Sequence, residues 1–154
     1  ELWYGCNVLF SAAYRLGSVC AAVERKVEGN VQGRGICKAK HRAKEFEYAT
    51  SVVYDIPLSC GKYYDGQTRR CVNSRLLDHK ALLKSQPCSN LSLHCRECGC
   101  VPLFGDKTAQ SGFKNRGARE MEEAYLINKA GHACVAKPSV ALLAAEFVFL
   151  EARH

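Results

Sequence analysis

Apolar and polar positions along this 154-residue chain change period several times, and each change marks an expected element. Residues 1 to 24 set Leu9, Ala13 and Leu16 at steps of four and three, the spacing of one helix face, and predict a short amphipathic helix. From Arg25 to Lys44 the pattern lapses. Seven Lys or Arg stand there with one acidic residue, and Gly29, Gly33 and Gly35 interrupt any regular element. A flexible basic arm is expected, either a solvated linker or a strip that binds phosphates by counterion release. The chain therefore divides into an N-terminal helix and arm, residues 1–45, and a folded unit, residues 46–154.

Two β-prone runs follow within residues 46–66, parted by Pro57, Ser59 and Gly61, whose turn chemistry predicts a hairpin. A helix is expected from about Arg70 to Lys84, with Val72, Leu76 and Leu83 inward. Pro87, Ser89 and Asn90 read as a loop, and Val101 to Phe104 as a third strand. Asn115 suits the N-cap of a helix running to Ala130 and closed by Gly131, with Ala118, Met121 and Tyr125 on one apolar stripe. Pro138 to Leu150 reads as a last apolar helix. The sum is an α+β fold, a small antiparallel sheet of about three strands flanked by helices.

Charge narrows the partners only slightly. Lys and Arg number 22 against 15 acidic residues, a net charge of +7 and a pI near 8.9, which admits a polyanion without requiring one. The most apolar stretch, Val8 to Tyr14, is far short of the ~20 residues of a membrane span, and no basic flank or cleavage site marks a secretory leader.

Ten cysteines change the picture more. An even count suits a secreted disulfide-rich binding protein, which predicts no free thiols. The cluster His94-Cys95-Arg96-Glu97-Cys98-Gly99-Cys100 points elsewhere, because cysteines two and three apart converge on one cation more readily than they pair. Cys6, Cys20, Cys88 and Cys134 lack ligand spacing and read as small buried hydrophobes. Cys37 and His41 form a Cys-x-x-x-His pair that could donate two metal ligands but reads more readily as a surface thiol beside a histidine.

The candidate chemistry sits on the hairpin and its helix. Tyr54 and Tyr64 fall on the two strands, where a hairpin sets the phenols side by side, and Arg75 and His79 follow at i,i+4, about 5–6 Å apart at their β-carbons. With the triplets Val52-Val53-Tyr54 and Tyr64-Asp65-Gly66, this arrangement resembles the GIY-YIG endonuclease family. It is most similar to the domains encoded by Penelope-like and related retroelements, which share Gly-Lys-x-Tyr (Gly61 to Tyr64 here), Gly66-Gln67-Thr68, and an Arg-x-x-x-His helix. The likeness spans residues 46 to 150.

The resemblance implies a divalent-metal-dependent endonuclease that nicks DNA, from a mobile element, with Mg or Mn as cofactor. Tyr54 would be the general base or water-positioning group, Tyr64 would hydrogen-bond the phosphate or the attacking water, Arg75 would clamp the phosphate, and His79 would hydrogen-bond the base tyrosine or the phosphate. Glu123, in a Glu-x-x-x-Ile context with Ile127, would hold the cation. Glu120 and Glu122 lack that isoleucine. A normal phenol pKa near ~10 means that Tyr54 needs a nearby cation or Lys62. Lys62, Gln67, Arg69 and Arg70 are the candidate nucleic-acid contacts. The family's Cys/His set maps in part: Pro57 replaces one cysteine, and Cys60, His94, Cys98 and Cys100 would form a structural zinc site, with Cys95 and Cys71 as rivals. The resemblance further implies an intracellular, nuclear protein that shares its parent polypeptide with a reverse transcriptase.

Three positions depart from the family. Asp65 stands where Ile or Val is usual, Val52 replaces a glycine, and Arg69 sits where glycine is frequent. A carboxylate at an apolar strand position is costly, although alternation should turn Asp65 to the face opposite Tyr64. The competing reading is a catalytically degenerate, zinc-stabilised nucleic-acid-binding module.

Overall fold

The structure is a computed structural model, and residues 35–36, 49–85, 87–152 and 154 are described. Its elements run β1 (Gly35–Ile36), β2 (Ala49–Pro57), β3 (Tyr63–Cys71), α1 (Val72–Lys84), α2 (Asn90–Cys98), β4 (Thr108–Gly112), α3 (Arg116–Ala130) and α4 (Ala144–Glu151). Residues 1–34 and 37–48 lie outside the described set, and with them the expected N-terminal helix, most of the basic arm, Cys6, Cys20, Cys37 and His41. Gly35 and Ile36 depart from the expected irregular arm by pairing with Thr50 and Ala49.

Strand β2 is central, and its apolar residues Val52, Val53, Tyr54 and Ile56, interrupted only by Asp55, are at most 1% exposed. Strand β3 pairs with one of its edges, β4 and the short β1 with the other, all antiparallel. The hairpin closes at Leu58–Lys62, where the Leu58 N–H donates to the Lys62 carbonyl at 2.8 Å and Gly61 takes φ +83°.

Alternation divides the sheet. Val52, Tyr54, Ile56 and Leu58 meet Val72 and Leu76 of α1 and Leu91 of α2 in one core. The other face carries Asp65 and Gln67 and receives α3. A second cluster joins Phe113, Ala118, Tyr125 and Leu150, so α4 packs on α3 through Leu150, Phe147 and Phe149.

The α+β sheet-and-helix architecture agrees with the sequence pattern, and several boundaries do not. Strand β3 continues to Cys71, and α1 begins at Val72 rather than Arg70. The third long strand is Thr108–Gly112, not Val101 to Phe104. The latter segment crosses the hairpin turn instead: Ser59 N–H bonds the Val101 carbonyl at 3.0 Å, and Leu103 N–H bonds the Pro57 carbonyl at 2.8 Å. Pro102 lacks an N–H, which stops that crossing from becoming a ladder. The expected loop at Ser89 and Asn90 opens helix α2, capped by Ser89 and Ser92 in a reciprocal box and ended by Gly99 at φ +72°. The last helix is shorter than expected, beginning at Ala144. No helix among the described residues is long and apolar enough to cross a membrane.

Candidate active site and metal centre

Register places the phenols. Tyr54 pairs with Gly66 and Ile56 with Tyr64, so both tyrosines stand on the α1 face, one diagonal step apart. Gly66 is required between them: a Cβ there would lie 2.9 Å from Tyr54 Oη and 2.9 Å from Tyr64 Cε1. Helix α1 presents His79 to both rings. Its Nε2 is 2.8 Å from Tyr54 Oη, and its ring meets Tyr64 edge-on with centroids 5.2 Å apart. Arg75, one turn earlier, is close enough to interact with both phenols.

Burial sets the protonation states. Desolvation pushes the Tyr54 phenol well above its usual range, Tyr64 adds to that, and the Arg75 charge opposes it. Tyr64 is raised by burial and restrained by Arg75. His79 is drawn down to about 4, by burial first and the Arg75 charge second, so at neutral pH it is an uncharged imidazole. Its Nδ1 is buried and has no hydrogen-bond partner among the described residues. Lys62 does not assist Tyr54. It stands on the hairpin turn, lining a different cavity with Asp55 and Asp65.

Glu123 comes from α3, on the other side of β3. Its carboxylate is buried, accepts a hydrogen bond from Ser139 Oγ and faces the backbone N–H of Gln67. Burial raises its pKa against those hydrogen bonds, and its charge in turn raises both phenols. Tyr54, Tyr64, Arg75 and His79 are thus gathered on the α1 face of β3, and Glu123 lies across the strand from them, near enough for its charge to act on both phenols. The competing carboxylates are engaged elsewhere, Glu120 with Arg116 at 2.7 Å and Glu122 with His154 at 3.1 Å.

Beside this locality runs a groove of about 540 Å³. Three of the four candidate nucleic-acid contacts line it, Gln67, Arg69 and Arg70, together with Arg75. Lys114, Arg116 and Arg119 complete the wall, and these were not singled out from sequence. The signal was present in the i,i+3 and i,i+4 steps linking Arg116, Arg119, Glu120 and Glu123 on one helix.

Asp65 points away from Tyr64, onto the α3 face, as strand alternation requires. It is 2% exposed, directly opposite Asp55, and its Oδ2 has no partner among the described residues. Burial pushes its carboxyl to about 7, with a hydrogen bond from Cys134 opposing and Asp55 reinforcing.

The second centre lies at the hairpin turn. Ligand atoms of Cys60, His94, Cys98 and Cys100 all fall within 4.8 Å of one another, with Cys60 Sγ 3.5 Å from His94 Nε2, and this set could hold one metal ion. His94 draws the Cys60 thiol down to about 6, whereas burial pushes Cys100 up to about 12. The rivals serve the core: Cys95 and Cys71 are buried, the former packed in the α1-face cluster. Cys134 is buried as expected, but Cys88 is exposed on the loop before α2. All seven described cysteines are free thiols. Compared with known protein families, curated proteins and solved structures, the chain finds no match.

Proposed function

We propose that this chain is a GIY-YIG-like endonuclease domain that nicks DNA with the help of a divalent cation. The observation carrying this reading is the gathering of two phenols, a guanidinium and a neutral imidazole on one face of β3, with a buried carboxylate across the strand and a basic groove beside them. Phosphodiester hydrolysis needs a positioned water, compensation of charge on the phosphoryl oxygens and help for the leaving alkoxide.

Each residue type suits one of those needs. Tyr54, donating its proton to His79 Nε2, keeps its oxygen lone pairs directed at a water and can take that water's proton as its own moves to the imidazole. Tyr64 donates to the same water or to a phosphoryl oxygen. Arg75 grips the scissile phosphate through a planar fork that lysine cannot copy. Glu123 offers hard oxygen, the donor that Mg or Mn takes alongside water and substrate phosphate, and Ser139 fixes its orientation. When bound, such a cation supplies charge compensation at the phosphate.

At the turn, three thiols and an imidazole match the donor set of a structural zinc ion, which would pin the hairpin to the end of α2. The wider setting we propose follows from the resemblance alone: a mobile-element protein of the nucleus, expressed with a reverse transcriptase. One observation favours a second reading, a zinc-stabilised nucleic-acid-binding module that has lost cleavage. Asp65 is buried with an unpartnered oxygen, the kind of cost expected of a copy no longer selected for activity. Incubating zinc-loaded protein with supercoiled plasmid and Mg or Mn separates the two. Open-circle product that needs the added cation supports the nuclease, and retarded but intact plasmid supports the module.

A further inference from the structure

Among the six cations of the groove, Arg119 is built differently from its neighbours. It is 3% exposed, yet it has no ion pair with any described carboxylate. Its Nε donates to Gln67 Oε1 at 3.0 Å, and Nη1 donates to the Phe113 carbonyl at 2.8 Å and the Lys114 carbonyl at 3.3 Å. Those bonds use three of the five N–H groups and leave both on Nη2 without a protein acceptor among the described residues. Arg70 and Arg75 share Asp78, and Arg116 is held by Glu120. Arg69 and Lys114 have no described ion pair.

The three bonds on one side of the fork hold the guanidinium in place, and because Nη2 is not sealed off from solvent, its two free N–H groups are offered to the groove as a preset anion seat. Gln67 makes the position informative. Its side chain fixes Arg119 while its backbone N–H faces Glu123, one helical turn further along α3. The carboxylate proposed to act at the scissile phosphate and the guanidinium are thus locked to one residue, in fixed separation.

We infer that Arg119 is the seat for a second, non-scissile phosphate of the DNA backbone, with Arg69 and Lys114 extending that seat along the strand. Gln67 is then a positioning residue rather than a DNA contact. This inference rests on the nuclease reading for its choice of ligand, but it concerns binding and is tested without cleavage.

The test is a fluorescence-anisotropy titration of a labelled duplex oligonucleotide with zinc-loaded protein, free of Mg and Mn, over a series of KCl concentrations. Removing one phosphate contact lowers the slope of log affinity against log salt by about 1, so Arg119→Met should show that loss and a Kd weaker by roughly tenfold at low salt. Arg119→Lys should recover the slope, because the charge returns. An unchanged slope and Kd in a folded Arg119→Met protein overturns the inference. Should thermal melting show that variant unfolded, Arg69→Ala with Lys114→Ala, both at exposed positions, must lower the slope by about 2, and a wild-type slope there overturns it equally. Wild-type protein that nicks plasmid while Arg119→Met keeps its slope contradicts the inference alone. A slope lost on substitution in a protein that never nicks contradicts the nuclease reading alone.

Discussion

The turn and the middle of the β2–β3 hairpin lie on the same two strands but are organised by different forces. At the middle, Tyr54 and His79 are at most 1% exposed and are fixed by core packing and one 2.8 Å hydrogen bond. At the turn, Cys60 and Cys98 are exposed, His94 is half-buried, and a few backbone bonds to residues 101–103 supply most of the order. Packing therefore prepares the proposed chemistry in advance, whereas at the turn the proposed ion would have to supply comparable rigidity. Stability and activity should accordingly respond to different substitutions.

The largest expected effect is at the turn. Stripping zinc with a chelator, or making Cys100→Ser, should cost at least about 4 kcal/mol and lower Tm by about 10 °C or more in a thermal melt, with metal loss confirmed by elemental analysis. A Tm unchanged by chelation would erase the contrast between the two regions. At the middle, Gly66→Ala should displace both phenols from the 2.9 Å approach that glycine permits, lowering the nicking rate on the order of 10²-fold in a plasmid assay while zinc content is unchanged.

Asp65 sharpens the same comparison from the opposite face of β3. Its carboxyl titrates near 7 in the folded protein against an ordinary value of 3.8. Both states are protonated below about pH 4. Between 4 and 7 the unfolded chain ionises while the folded one does not, so this group lowers stability as pH rises. His79, depressed to about 4 from 6.5, works in the other direction between those values and partly masks the effect in the wild type. Asp65→Asn isolates it. The variant should be more stable than wild type at pH 8, on the order of 2–4 kcal/mol, with the difference vanishing near pH 4 in paired urea titrations. The smallest expected effect lies in the groove, where Glu120 is the sole carboxylate in the wall. Glu120→Gln should tighten duplex binding a few-fold at low salt, measured by anisotropy, without loss of nicking.

Much of this arrangement was legible in the residues. The turn chemistry of Pro57, Ser59 and Gly61 located the hairpin, and the four-residue step from Arg75 to His79 placed both on one helix face. Cys60, His94, Cys98 and Cys100 were identifiable from the Cys/His pattern of the family the sequence resembles, even with Pro57 in place of one of its cysteines. Strand β4 was not legible, because Thr-Ala-Gln-Ser-Gly carries no apolar alternation and is held by pairing with β2, whose Val52, Val53 and Tyr54 are buried. Helix α2 was hidden by its Ser and Asn start, which signals a cap as readily as a loop. Arg119 was hidden for a different reason. On a helix rich in Arg and Glu, one buried guanidinium looks like any solvated charge until the strand bearing Gln67 is laid against it.

The account depends on Glu123 acting with the two phenols. Single-turnover cleavage of an end-labelled duplex by zinc-loaded wild type, Glu123→Gln and Glu120→Gln, with Mg present, tests that most directly. The account predicts strand scission by wild type and Glu120→Gln, and a loss of at least about 10²-fold in Glu123→Gln with its melting profile retained. Cleavage by Glu123→Gln at the wild-type rate, or an equal loss in Glu120→Gln, would contradict it.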